Sequence, residues 1–208
     1  MAGRVLFAVL LASVAVFGLL AIAYDHEPFA TVDPEIADWI AARLPAWAET
    51  LARPFSWIGG WIGLTALGIA AAVLLVRERA WLDLAFFAVA FIGSQVVVML
   101  LKEGFDRPRP DLGSTVPLPS SSAFPSGHAA AGVASLGALT VLAGERLPSR
   151  RARRSLWSIS IALGLAIGLS RIALNVHFAS DVVAGWCFGI AWLAGCLLAR
   201  DLVRSRMA

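Results

Sequence analysis

Charge is what this sequence has least of: Asp, Glu, Lys and Arg together make up 15% of its residues, against about 25% in ordinary soluble domains. A nucleic-acid surface needs a dense basic face, and a net charge of +3 scattered between long apolar runs does not supply one. No nucleic-acid partner is expected. Cysteine is equally sparse. Cys187 and Cys196 are the only two, and nine residues on one helix put them on opposite faces more than a turn apart, so they cannot pair with each other. That excludes a disulfide framework and leaves packing as their role. The sequence also lacks internal repeats and low-complexity linkers, although 117–125 is a Pro/Ser-rich loop segment. A single domain over 1–208 is the simplest organisation.

What is abundant is apolar sequence, at 59% of residues with a mean hydropathy of +0.79. Six runs reach the length that a hydrocarbon core demands of a helix, about 20 residues. They are 5–24, 55–76, 81–101, 127–143, 156–174 and 182–199. The fourth is rich in Ala, Gly and Ser, which suits close packing inside a bundle. The first resembles a secretory signal, with Arg4 ahead of it and a small-residue Ala21-Ile22-Ala23 end, but its apolar core is longer than a signal's and predicts an uncleaved helix.

The fold class expected is therefore all-α: a polytopic membrane protein built as a bundle of six transmembrane helices. Between the first two runs, Asp33-Pro34 reads as an N-cap and first helical proline opening a short amphipathic helix. Ile36, Trp39, Ile40, Leu44 and Trp47 would line one face of it, in the manner of an interfacial helix. Eleven of the seventeen basic residues fall on the amino-terminal side of the crossings. By the positive-inside rule both termini are cytoplasmic and the chain sits in the cell membrane.

Ionisable residues at the ends of membrane helices are costly and mark function. Here they form three clusters: Lys102 to Pro110 (KEGFDRPRP), Pro125 to His128 (PSGH), and Ser170 to Asp181 (SRIALNVHFASD). Singly, an RP pair can be a turn former and PSGH can simply open a helix. Alternating crossings, however, bring all three to one membrane face, opposite the arginine-rich loops. Lys102, Arg109 and Arg171 then surround His128, His177 and Asp181.

Preorganised cations and helix N-terminal N–H groups suit a phosphoryl group, whose transition state spreads charge over its oxygens. Arginine adds bidentate geometry, and Gly127 lets backbone approach. His177 and Asp181, four apart, suit a carboxylate that holds one ring nitrogen as N–H and leaves the other free to attack. His128 then serves as the acid for the leaving alkoxide. Too few carboxylates accompany these cations to hold magnesium, so no metal or other cofactor is expected.

These residues resemble the type 2 phosphatidic acid phosphatase superfamily, whose signatures are KxxxxxxRP, PSGH and SRxxxxxHxxxD and whose fold is similar to that of vanadium haloperoxidases. Lys102 with Arg109-Pro110, then Pro125-Ser126-Gly127-His128, then Ser170-Arg171 with His177 and Asp181 meet every spacing in order. The resemblance covers 102–181. It implies that Lys102, Arg109, Ser126, Gly127 and Arg171 bind phosphate, that His128 is the acid, and that His177 forms a phosphohistidine oriented by Asp181. Arg107-Pro108 duplicates the RP pair; the spacing selects Arg109 and leaves Arg107 as an accessory or solvated charge.

The function expected is metal-independent hydrolysis of a lipid phosphate or diphosphate of the phosphatidate, phosphatidylglycerol phosphate or isoprenyl diphosphate type, on the extracytoplasmic face and among membrane lipids. The alternatives are transfer of the phosphate to another acceptor, and a non-catalytic lipid-phosphate binder or transporter. Haloperoxidase chemistry fits six membrane helices poorly.

Overall fold

The computed structural model describes residues 2–114 and 116–207, and among them there is helix and no strand. Nine α-helices follow in order: α1 (Ala2–Ala23), α2 (Phe29–Arg43), α3 (Ala46–Gly59), α4 (Trp61–Arg77), α5 (Trp81–Ala88), α6 (Ser94–Glu103), α7 (Gly127–Arg146), α8 (Arg150–Ala173) and α9 (Ala179–Met207). A single π-helical turn, Val89–Gly93, joins α5 to α6.

Five helical stretches are long and apolar enough to cross a membrane, and the bent pair α3 and α4 makes a sixth. The expected all-α, polytopic membrane architecture is the one observed. Its arrangement follows from where small side chains lie. Two thirds of the apolar window of α7 is buried, against 6% for α1, so α7 is the axis of the bundle and α1 lies outside it along α9. Leu, Val and Phe side chains of α1 point outward, as they do on a helix that faces lipid.

Close approach of α9 to α7 depends on Gly185 and Gly189. A Cβ on Gly185 would stand 2.5 Å from the Ser126 carbonyl oxygen, and one on Gly189 would stand 2.6 Å from that of Ala130. No side chain fits there, and this is the small-xxx-small contact that lets membrane helices touch backbone to backbone.

Two interruptions depart from the expected runs. The second run does not cross as one straight helix from Phe55: α3 starts at Ala46, breaks at Gly60, and meets α4 at 45°. Gly60 is extended at the break, and Gly63 lets α4 pack against the end of α3: a Cβ there would stand 2.5 Å from the Ile58 carbonyl oxygen. The third run contains the π turn. Its freed Val89 carbonyl accepts a hydrogen bond from Trp192 Nε1 at 3.0 Å, which is how such an insertion stays satisfied in an apolar setting.

The interfacial helix also differs from expectation. Asp33 is not an N-cap: α2 begins a turn earlier, after Pro28, and Asp33 lies inside it, 2% exposed. Leu44 and Pro45 end α2, so Trp47 belongs to α3. The apolar face of Ile36 and Trp39 points away from the protein, and the face that packs inward carries Asp33 and Ala37. A buried ion pair, described below, turns the helix this way. Cys187 and Cys196 are both free.

Candidate active site

The three charged clusters meet at one end of the bundle. The first descends from α6. Lys102, in its last turn, donates to the Ser122 carbonyl at 2.5 Å and faces the loop that leads to α7. Arg109 stands in that loop, half-buried. Its Nε and Nη2 donate to the carbonyls of Pro119, Ser121 and Ser122, while Nη1 donates to the Val176 carbonyl at 2.8 Å and lies 3.2 Å from His177 Nε2. This arginine is thus already fixed beside the nitrogen that sequence reasoning assigned to attack.

The second cluster opens α7. Ser126 is its N-cap residue, fully buried, and its backbone N–H donates to the Asp181 carbonyl at 2.9 Å. Phe124, just before it, is fully buried between Phe17, Tyr24 and Phe105, with ring centroids 4.9–5.9 Å apart, and so anchors the loop against α1. Beside Gly127 the nearest atom to an added Cβ is Val98 Cγ1, at an ordinary 3.7 Å. Backbone packing does not require this glycine; the space beside it opens toward a cavity.

The third cluster ends α8 and begins α9. Arg171 is buried and its Nη1 donates to Ser56 Oγ of α3. Asn175, at φ +52°, turns the chain sharply toward His177, a left-handed conformation that Asn tolerates better than most residues. His177 Nδ1 lies 3.4 Å from Asp181 Oδ2, which also accepts from the Phe178 N–H at 2.9 Å.

Electrostatically the cluster is one unit. His128 lies in the field of Arg171, His177, Arg109 and Lys102, and His177 in that of Asp181, Arg109 and Lys102. Burial pushes His177 down to about 4; the Asp181 carboxylate opposes this, and Arg109 and Lys102 add to it. The imidazole is therefore neutral at physiological pH, the form that keeps a lone pair. Burial also lowers Arg109 from its ordinary value, against the pull of Asp181.

All eight residues singled out from the sequence, Lys102, Arg109, Ser126, Gly127, His128, Arg171, His177 and Asp181, are brought to this end of the bundle. Three buried polar atoms of the region, Ser126 Oγ, Arg171 Nε and Asn175 Oδ1, have no hydrogen-bond partner among the described residues. Two of them are donors. Among the described residues no three His, Cys, Asp or Glu side chains are grouped as a metal site would need. A cavity of about 640 Å³ is lined by Lys102, Gly127 and His128 together with Trp61, Val98 and Met99. Trp61 and Met99 are exposed, so its mouth opens between α4 and α6.

Other contributors were not legible. Arg107 is not a solvated charge. It is 7% exposed and bridges Asp33 and Asp181. Asp33, Ser56, Phe124 and Ser180 enter through partners remote in sequence. His26, outside the cluster, is exposed and pairs with Asp25 at 2.6 Å.

Known proteins bear on this geometry. Residues 83–204 match the profile of the PAP2 superfamily. The chain is 27% identical over 128 residues to phosphatidylglycerophosphatase B of Bacillus subtilis (strain 168), covering 61% of this chain and 62% of that protein. It is 35% identical over 133 residues to decaprenylphosphoryl-5-phosphoribose phosphatase of Mycobacterium tuberculosis (strain CDC 1551 / Oshkosh), covering 62% and 66%. The match thus spans less than two thirds of either relative. In structure it resembles the transmembrane PAP2 type phosphatidylglycerolphosphate phosphatase from Bacillus subtilis, with a TM-score of 0.85 and 21% identity over 96% of this chain and 97% of that one. That likeness concerns the fold.

Proposed function

Because the chain belongs to the PAP2 superfamily, we propose that it hydrolyses the phosphate or diphosphate ester of a membrane lipid, with His177 as nucleophile. The observation that carries this reading is Arg109 Nη1 at 3.2 Å from His177 Nε2, while Nδ1 of the same ring faces Asp181. A guanidinium donates only, so Nε2 beside it is the lone-pair nitrogen and Nδ1 carries the hydrogen held by Asp181. A phosphate bound to Arg109 then sits against the nitrogen that attacks it.

Lys102, Arg171, Ser126 Oγ and the first N–H groups of α7 supply further donors for the phosphate oxygens. The partnerless Ser126 Oγ and Arg171 Nε support that assignment, because a buried donor without an acceptor is costly and a phosphate oxygen would satisfy it. In the first step His177 Nε2 forms a bond to phosphorus, the ester P–O bond breaks, and the departing alkoxide takes a proton. His128, which lines the cavity beside Lys102 and Gly127, is the group to give it. In the second step water, deprotonated by His128, attacks the phosphohistidine and restores both rings. The fixed positive charges that stabilise this phosphate would repel a divalent ion, so catalysis proceeds without metal.

The cavity supports a lipid substrate. It is lined by Lys102, Gly127 and His128 of the site, and its wall of Trp61, Val98 and Met99 suits an alkyl chain entering from the bilayer between α4 and α6. The relatives' names include phosphatidylglycerophosphatase B and decaprenylphosphoryl-5-phosphoribose phosphatase, which supports the same substrate class. Both termini are assigned to the cytoplasm and the site to the extracytoplasmic end, on the arginine asymmetry of the loops. The whole chain is one catalytic domain.

The test is release of inorganic phosphate by detergent-purified protein from phosphatidate, phosphatidylglycerol phosphate, an isoprenyl diphosphate and a lipid A phosphate. At least one is turned over, chelators leave the rate unchanged, and His177→Ala or His128→Ala lowers it by more than about 10³-fold, the scale of a lost nucleophile or acid. Release that appears only with an added alcohol acceptor points to phosphotransfer instead. Binding without any turnover points to a carrier.

A further inference from the structure

Four buried ionisable side chains run from the interfacial helix to the ring of His177, and two of them have no part in the anion cradle. Asp33 is 2% exposed, Arg107 7%, Asp181 0% and His177 3%. Arg107 Nη1 donates to Asp181 Oδ1 at 2.5 Å and to Ser180 Oγ at 2.7 Å, while Nη2 donates to Asp33 Oδ2 at 2.6 Å. The flat faces of the guanidinium are covered by Phe178, 4.7 Å away, and Tyr24, 5.3 Å away. Asp33 also holds the start of α9: the Ser180 N–H donates to its Oδ1 at 3.1 Å, and the Ser180 hydroxyl to its Oδ2. A carboxylate there satisfies orphan donors at the helix end that carries Asp181 and complements its dipole.

This arrangement has a geometric and an electrostatic consequence. With Oδ1 taken by Arg107, Asp181 is left to face His177 Nδ1 through Oδ2 alone, in a fixed plane. One guanidinium shared between two carboxylates also tempers the negative charge that His177 sees. Were Asp181 unshared, it would favour the imidazolium more strongly and raise the His177 titration. The other charges facing His177 are Arg109 in the loop, Lys102 on α6 and His128 on α7, with Arg171 on α8 beside Arg109. All of them belong to the cradle, so none balances Asp181 from behind.

We propose that Asp33 and Arg107 are a positioning pair for His177: Asp33 fixes Arg107, Arg107 fixes and partly neutralises Asp181, and Asp181 holds the imidazole in its attacking tautomer. The inference rests on the reading of His177 as nucleophile. It assigns a role in the site to α2, which lies outside residues 83–204 that match the family profile.

The test uses the full-length protein in detergent, labelled with ¹⁵N,¹³C-histidine. Its three histidines, His26, His128 and His177, are assigned by single Gln substitutions, and the His177 ring is titrated without substrate. Arg107→Gln raises the His177 titration by about one unit. Asp33→Asn, which leaves the guanidinium to Asp181 alone, moves it down. Arg107→Lys restores the charge, and with it the titration, but not the fork, so kcat stays at least tenfold low while KM changes less than about threefold. Opposite-signed shifts from the two partners are not what a general loosening of the fold produces. Where Arg107→Gln fails to fold, Asp33→Asn and Arg107→Lys decide the matter on the same readout. A folded variant of either residue whose His177 titration and kcat match the parent overturns the proposal. The ring titration needs no turnover, so a parent protein that hydrolyses none of the lipids defeats the functional reading and leaves this result standing.

Discussion

At the scale of single residues, the working form of His177 is the neutral one, and its burial decides the pH range over which it persists. Its folded value of about 4 lies below the ordinary 6.5. The unfolded chain thus binds a proton between those limits that the folded protein refuses, and stability is full above pH 6.5 and declines as pH falls toward 4. Thermal midpoints in detergent should drop across that window, and His177→Gln should flatten the drop. A midpoint that rises on acidification through the window would contradict the assignment. That Lys102, Arg109, His128 and Asp181 belong to one cluster was legible because local spacing carries them. Asp33 and Arg107 were not: their bond spans 74 positions, and nothing in the neighbourhood of either residue signals the other. What was available was a second RP pair, which spacing set aside.

At the scale of elements, the site depends on how closely α9 approaches α7. The Ser126 carbonyl occupies the place where a Gly185 Cβ would go, and the Ser126 N–H is bonded to Asp181. Gly185→Ala therefore forces backbone apart at the point where the second and third clusters join. We expect a loss of about 1–3 kcal/mol, as for overpacking in a core, and a fall in kcat of at least tenfold. Gly195→Ala, on the same helix with nothing within 4 Å of an added Cβ, should be nearly silent in both assays. Apolar length made the spanning helices readable. The break at Gly60 was not, and neither was the π turn at Val89–Gly93, which answers to a remote side chain, Trp192. The amphipathic pattern of α2 was seen, but not that the face opposite its apolar one is buried through Asp33. Ile36 and Trp39 face outward, and Asp33 turns inward to Arg107.

At the scale of the whole molecule, the two ends differ in what their charges do. At the far end Arg200 pairs with Asp83 at 2.6 Å and Glu145 at 2.8 Å, and Arg146 pairs with Glu78. These tie α5, α7 and α9 together, while the four arginines that open α8 are exposed and carry the proposed orientation. In intact cells, on a Cys187→Ala/Cys196→Ala background, Ser120→Cys should react with a membrane-impermeant maleimide and Arg150→Cys should not; the reverse pattern would invert the topology.

The central claim is a phosphoryl group passing through His177, and rapid quenching tests it most directly. With a lipid carrying ³²P in the scissile phosphate, the protein should acquire label that survives alkali, is lost in acid, and is absent from His177→Ala. Label on another residue, or undiminished phosphate release by His177→Ala, would contradict the account.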